Sequence, residues 1–476
     1  MTLADFFNNA ELLFTLYLVA LYSSYAVLNF LSIKTVWQYM QMHSVSSLPT
    51  VISGMEYPVS ILVPGYNEEL SIADSVRALL QMNYSEFEVV VINDGSKDRT
   101  LEVLINEFDL VEFPQALRVQ IKTANVRGIY VSRKHQNLRV IDKENGGKAD
   151  ALNVGINAAR YPLFCAVDAD SILQPDSLTR IVLPFLEDPL TIAAGGTVRI
   201  ANGCVVDKGV LKQTGLPTNI LALYQVVEYL RGFLFGRLGW SPLNALLIVS
   251  GAFGVFSKQK VVDIGGYRHK TIGEDMELVV RLHRHMREKN IPYRITFVPD
   301  PICWTEAPQD FKTLRNQRIR WQIGLSESLF NNIGLMFSRH GGAVGWLAFP
   351  YMLIFEWLGP VIEVMGFTLT ILGFVTGYLQ PQVALLFLLV SVGFGMLLSV
   401  VAVLLEEMSF HQYPKLRNVF VLFAVAFLEN IGYRQLISYW RLVAMIRIAM
   451  RRKTTWGKMV RNASWQGAAP AAKKET

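Results

Sequence analysis

Between Leu12 and Ile33 the chain carries no charged side chain. A run of about twenty such residues is long enough to cross a hydrocarbon core of roughly 30 Å. It is too long for the core of a signal peptide, and no small-residue cleavage motif follows it. Asp5 and Glu11 precede the run and Lys34 follows it. Basic residues favour the cytoplasmic side, so the N-terminus is expected outside and the next segment in the cytosol. The rest of the chain suits a membrane setting. Of its 476 residues 51% are hydrophobic and only 18% are charged, against roughly a quarter charged in soluble domains. That balance excludes a wholly soluble protein and a disordered one. Cys165, Cys204 and Cys303 are widely spaced with no His or Cys close by, so neither a disulfide scaffold nor a thiolate zinc site is expected.

From about Met40 the pattern changes to short apolar runs alternating with helical stretches. Val59–Val63, Glu88–Ile92, Leu138–Ile141 and Leu163–Val167 are predicted strands; Ser71–Met82, Ser96–Phe108, Lys148–Ala159 and Pro175–Leu186 are predicted helices. Strands alternating with helices imply right-handed crossovers and a parallel sheet, with ligands at the carboxyl ends of the strands. Apolar content rises again after His340. Trp346–Tyr378 is a long run broken by Pro350, Glu356, Pro360 and Glu363; Val383–Leu405 is a clean span; Val419–Leu436 contains Glu429, Asn430 and Arg434. A central Arg costs roughly 2.5–3.5 kcal/mol to insert, so those polar groups should face protein or a wet cavity. Glu356, Glu363, Glu429 and Arg434 are candidates for a channel lining or for interhelix contacts. The expected division is an N-terminal transmembrane helix (1–39), a cytosolic α/β domain (40–310), interfacial amphipathic helices (311–345), a C-terminal membrane region of three or four crossings (346–440), and a basic cytosolic tail with a disordered end (441–476). Arg451, Arg452 and Lys453 make that tail a juxtamembrane anchor for anionic lipids.

Five short motifs carry chemistry. In Val91-Ile92-Asn93-Asp94-Gly95-Ser96 a strand ends at an acid, Gly95 permits a tight turn, and Ser96 can cap a helix; an ordinary βα turn reads the same way. In Asn145-Gly146-Gly147-Lys148-Ala149-Asp150 the glycines admit an anion to backbone N–H groups and Lys148 adds charge. The Walker spacing is absent, and a plain helix cap also explains the segment. In Val167-Asp168-Ala169-Asp170-Ser171 two carboxylates share a side. They repel unless a proton or cation lies between them, and a hard divalent cation answers that need; the apolar strand leading into the pair favours the cation over a solvated loop. In Thr271-Ile272-Gly273-Glu274-Asp275-Met276-Glu277 acids open a helix, as helix dipoles alone would favour. In Gln317-Arg318-Ile319-Arg320-Trp321 an amide, a guanidinium and an indole at i, i+3 and i+4 share a helix face. They could clamp a phosphate and stack on a sugar, and the same segment reads as a membrane-surface helix.

In order and spacing, the five motifs resemble the signatures of the membrane-bound, processive family 2 glycosyltransferases, which include cellulose, hyaluronan and poly-N-acetylglucosamine synthases. The resemblance covers about Pro58 to Ile323 and the flanking spans; Asn93 stands where many members carry a second acid. It implies a GT-A nucleotide-sugar-binding domain, α/β in class, embedded between transmembrane helices. It further implies that Tyr66 and Glu68 of the Pro64–Glu68 loop, with Asp94, Lys148, Asp150 and Asp168, bind the nucleotide sugar. Asp168 and Asp170 would hold Mg2+ or Mn2+, Asp275 would be the general base with Glu274 beside it, and Gln317, Arg320 and Trp321 would position the diphosphate and the acceptor.

The implied activity is inverting β-transfer from a UDP-sugar to a growing polysaccharide, with export across the inner or plasma membrane and the catalytic domain in the cytosol. Ser250-Gly251-Ala252-Phe253-Gly254 is small enough to let a sugar approach. Arg315, Arg318 and Arg320 among apolar residues suggest interfacial helices beneath a channel mouth. The implied partners are the UDP-sugar, the polysaccharide, membrane lipids and export or cell-envelope proteins; no nucleic acid is expected. Transfer of one sugar to a lipid carrier or glycolipid is the alternative activity. A silent nucleotide-binding membrane sensor is another, and the intact Asp168, Asp170 and Asp275 oppose it.

Overall fold

The computed structural model describes residues 2–43, 56–114, 116–207, 209–269 and 271–450. A 41-residue helix, α1 (Leu3–His43), leads into a ten-stranded sheet. Four strands form its centre in the order β5-β2-β1-β6: β1 (Val59–Gly65), β2 (Phe87–Asn93), β5 (Leu138–Lys143) and β6 (Leu163–Val167). All four run parallel. Their near-continuous apolar sequences are buried on both faces, as a helix-covered parallel sheet requires. The crossovers are α2 (Ile72–Leu80), α3 (Thr100–Phe108) and α4 (Lys148–Ala158).

The sheet is mixed rather than wholly parallel. β3 (Leu110–Glu112) and β4 (Val126–Ser132) extend one side antiparallel. On the other side β11 (Phe253–Ser257) pairs antiparallel with both β6 and β8 (Thr191–Ile200). β12 (Arg294–Thr305) follows parallel to β8, and β7 (Ile172–Leu173) closes the edge. A separate hairpin joins β9 (Val205–Asp207) to β10 (Val210–Gln213). A chain that leaves β6 and returns much later as β11 can run in either direction, and periodicity is silent on which. The helices of this half are α5 (Ser177–Glu187), α6 (Ile220–Leu234), α7 (Lys258–Asp263), α8 (Glu274–Glu288) and α9 (Phe311–Phe330).

Beyond α9 come α10 (Val344–Val375) and α11 (Pro381–Ser409). α12 (Leu416–Leu428) and α13 (Tyr433–Ala449) are bent against each other by 54°. Leu3–Gln41, α10 and α11 are each long and apolar enough to cross a membrane, and the bent pair raises the total to four if it forms one span. Polar groups inside this bundle are matched across helices. Tyr25 donates to Glu356 at 2.7 Å, Arg434 faces Glu363 at 3.3 Å, and Arg231 of α6 meets Glu429 at 2.5 Å. Glu356, Glu363, Glu429 and Arg434 therefore all have interhelix partners. Arg441, at the head of the tail in the sequence reading, lies inside α13, where it donates to Gln322 of α9 at 2.8 Å. The 451–476 segment, with its run of basic residues, lies outside the described residues.

Sheet and membrane helices share one apolar core that includes Leu28 and Val36 of α1, the central strands, Ala402 of α11 and Leu422 of α12. Two polar contacts reinforce the junction. Tyr39 of α1 hydrogen-bonds Asp300 of β12, which also pairs with Arg180 at 3.0 Å. Arg199 of β8 pairs with Glu406 of α11, and both side chains are buried.

Candidate active site

The central strands end together, and the acids gather at those ends. The loop after β1 is laced to the loop after β2. The Asn67 N–H donates to Ser96 Oγ, the Lys97 N–H donates to Asn67 Oδ1, and the Glu68 N–H donates to Thr100 Oγ1. Ser96 thus ties two loops; α3 begins only at Thr100, so Ser96 does not cap it. Tyr66 stands exposed at this rim, and Glu68 accepts from Ser71 Oγ at 2.8 Å.

Asp94, just past β2, is buried and saturated with donors. Lys143 Nζ lies 2.5 Å from its carboxylate, and the Gly146 and Gly147 N–H groups donate to it at 3.0 and 2.8 Å. Lys143 also pairs with Asp150 at 2.7 Å, and its side chain is wholly enclosed. Two buried acids sharing one buried cation fold the Asn145-Gly146-Gly147 turn down onto the end of β2. Gly147, at φ 87°, caps α4 in a backbone conformation that suits glycine. Asn93 donates to Asp142 at 2.6 Å. An acid at position 93 would oppose that carboxylate, which is a local reason for asparagine there.

One turn along, Lys148 reaches Asp168 at 2.6 Å and Glu274 at 3.4 Å. Burial acts to lower its pKa, but Asp168 and Glu274 outweigh it and hold the ammonium above its usual range. Asp275 accepts the Gly251 N–H at 3.2 Å and its own Met276 N–H at 2.8 Å. A Cβ on Gly251 would stand 3.1 Å from Lys148 Nζ and 3.6 Å from Asp275, so the small-residue segment is a close approach between these two groups. Burial raises the pKa of Glu274. Burial, and after it the charge of Asp168, push Asp170 up to about 7. A carboxylate pair under such strain fits a divalent cation. Among the described residues no group of three or more His, Cys, Asp or Glu side chains could hold one. A cation on Asp168 and Asp170 would then need oxygens from a bound diphosphate and water, an arrangement usual for Mg2+.

Helix α9, which carries the fifth motif, packs against the start of α8 where Gly324 meets Gly273. Gln317 is buried with Oε1 unpartnered, Arg320 is half-buried and Trp321 is exposed. Arg318 does not sit at a lipid interface: it is buried, pairs with Glu228 of α6 at 2.7 Å and stacks 4.2 Å from the Trp321 ring. A carboxylate on α6 and an aromatic face make burial of that guanidinium tolerable.

Asp94, Lys148, Asp150, Asp168, Glu274 and Asp275 thus form a connected set, with Asp170 beside Asp168 and α9 packed alongside. Sequence reasoning missed Lys143, Glu228, Tyr229, whose ring lies 6.5 Å from that of Trp321, and Arg237, which sits over the Phe233 ring. Lys143 leaves a trace, a lysine ending an apolar strand beside an acid. Glu228 and Tyr229 of α6, and Arg237 beyond its end, leave none, because the neighbours that place them in the site are remote in the chain.

The profile described as Glycosyl transferase family 2 matches residues 60–225, and that described as Glycosyl transferase family group 2 matches residues 163–398. The chain belongs to glycosyltransferase family 2. Among curated relatives, this family 2 chain is 27% identical over 310 residues to a poly-beta-1,6-N-acetyl-D-glucosamine synthase of Staphylococcus epidermidis, covering 65% of this chain and 64% of that one. It is 28% identical over 311 residues to the protein of the same name from Staphylococcus aureus strain COL, with the same coverage. The chain thus matches a little under two thirds of the length of these relatives. Among solved structures, the mannosyltransferase PcManGT from Pyrobaculum calidifontis, in complex with GDP-Man and Mn2+, superposes with TM-score 0.50 at 16% identity, covering 92% of this chain and all of that one. That likeness supports the GT-A fold of the family 2 chain.

Proposed function

We propose that this chain is a processive, inverting β-glycosyltransferase that extends an exopolysaccharide from a UDP-sugar at a membrane. N-acetylglucosamine is the proposed sugar, from the names of the curated relatives. The observation that carries this reading is the placement of Asp275. It opens α8 beside Glu274, Lys148 and Asp168, next to the helix bearing Gln317, Arg320 and Trp321.

In this reading the acceptor hydroxyl gives its proton to Asp275 as its oxygen bonds to the anomeric carbon. The bond from that carbon to the diphosphate breaks, and the leaving group takes the electron pair. A positioned carboxylate contributes roughly 10²–10⁴-fold by such proton transfer. No second carboxylate serves as nucleophile, so an α-linked donor gives a β-linked product. Asp168 and Asp170 would hold Mg2+ or Mn2+, which neutralises charge on the departing diphosphate. Lys148 and Arg320 supply fixed positive charge to the same leaving group. Tyr66 and Glu68 flank the nucleotide, and Asp94 and Asp150 shape its cradle through Lys143 and the glycine turn. The proposed setting is a multi-pass protein of the inner or plasma membrane with its catalytic face in the cytosol, where nucleotide sugars are found. The polymer, lipids and export or cell-envelope proteins are the proposed partners.

The test is UDP release by the purified full chain from UDP-N-acetylglucosamine, UDP-glucose and other UDP-sugars, with and without EDTA. The expected result is metal-dependent turnover of UDP-N-acetylglucosamine and a high-mass product cleaved by a β-1,6-N-acetylglucosaminidase. A single lipid-soluble product would replace this reading with transfer to a lipid carrier.

A further inference from the structure

Helix α6 and the loop after it carry Tyr229, Phe233 and Arg237 at i, i+4 and i+8, one face of a helical path. The three are in contact. The Tyr229 and Phe233 rings are 5.5 Å apart, and the Arg237 guanidinium sits 3.8 Å above the Phe233 ring. At the other end Tyr229 meets Trp321 of α9 with ring centroids 6.5 Å apart. An aromatic ladder therefore runs from the exposed indole of α9 to Arg237.

Arg237 differs from the other arginines drawn into this region. Arg231 is held by Glu429 and Arg318 by Glu228. Arg237 has no ion pair among the described residues, and its buried Nη1 has no hydrogen-bond partner. Burial lowers its pKa to about 10, and Asp275 is the foremost charge opposing that fall. The group stays cationic at neutral pH. A desolvated cation with a donor to spare is costly unless an electron-rich group arrives to use it.

We propose that Arg237 is a catalytic residue on the acceptor side, donating its Nη1–H to the attacking hydroxyl oxygen of the acceptor sugar while Asp275 takes that hydroxyl's proton. The ladder favours the acceptor over the diphosphate. Its outer rung is Trp321, a face on which sugar rings stack, and at its inner rung Asp275 is the foremost charge acting on Arg237; in the reading above Lys148, Asp168 and Asp170 serve the donor. As the O–H bond breaks, charge grows on an oxygen already facing a fixed cation, which is where such a donor acts most strongly.

This assignment rests on the glycosyltransferase reading above, and the test separates the two. Full-length protein in detergent is assayed with UDP-N-acetylglucosamine and a β-1,6-linked N-acetylglucosamine oligomer, and UDP affinity is measured by calorimetry. Arg237→Gln is expected to lower kcat/KM for the oligomer by about 10²-fold, with UDP affinity unchanged. Arg237→Lys keeps the charge and should recover part of the loss; it carries the test if Arg237→Gln does not fold. Unchanged oligomer kinetics, or UDP affinity falling in step with transfer, would overturn the assignment while leaving the function standing. No transfer by the unaltered protein would remove both.

Discussion

Gly324 of α9 and Gly273, the residue before Glu274, touch backbone to backbone. A Cβ on either would lie 2.8 Å from the Cα of the other. The contact is fastened by the Ile272 N–H, which donates to Glu327 of α9 at 2.8 Å. Here the helix carrying Gln317, Arg320 and Trp321 is docked onto the start of the helix carrying Asp275.

Gly324→Val should force α9 away from α8. Overpacking of this kind costs about 1–3 kcal/mol, and a shift near 1 Å at a reacting group can cost roughly 10²-fold in rate. UDP release should fall at least about tenfold, with a lower melting temperature. Gly334→Ala meets open space and should match the parent in both measurements.

Asp275→Asn keeps the shape of the side chain and removes the proposed base. Transfer should fall by about 10²–10⁴-fold, while UDP binding, read by calorimetry, stays close to the parent. Undiminished turnover would take Asp275 out of the mechanism.

Lys143→Met should be among the most damaging single changes in the domain. It leaves Asp94 and Asp150 as neighbouring buried carboxylates without their shared cation. Breaking a buried pair from one side costs about 3–5 kcal/mol. Thermal melting and the yield of folded protein are the measurements. A melting curve like that of the parent would mean that the glycine turn is held by its backbone hydrogen bonds alone.

His283 supplies a pH dependence. It is fully buried between the Tyr293 hydroxyl at 2.6 Å and the Leu246 carbonyl at 2.8 Å, and burial depresses its pKa to about 4. The unfolded chain takes up this proton near pH 6.5 and the folded one only near 4. Between those values the unfolded state binds more protons, so stability falls as pH drops through the window, by roughly 3 kcal/mol in all. His283→Gln should flatten that part of the melting-versus-pH curve.

The four central strands and the helices between them were legible because apolar runs bounded by Gly, Asp and Ser have few other uses. The acids at the strand ends were legible as types in order. What they do to one another was not. Nothing in the sequence says that Asp94 and Asp150 share Lys143, or that Lys148 bridges Asp168 to Glu274. The strands β8, β11 and β12 were also hidden, and with them the antiparallel direction of β11, since strand direction depends on a return path with no periodicity of its own. Arg318 was read as interfacial because its partner Glu228 lies 90 positions away. Arg441 was read as tail because the apolar pattern fades before α13 ends.

The Arg199–Glu406 pair has a practical consequence for dissecting the molecule. It joins a strand of the catalytic sheet to a helix long and apolar enough to cross a lipid bilayer, inside a core without a seam. A truncation that removes the C-terminal helices would take away the carboxylate that pairs with Arg199 and bare the greasy flank of the sheet. The smallest autonomous folding unit is therefore the sheet together with those helices, and heating should melt both in a single cooperative step.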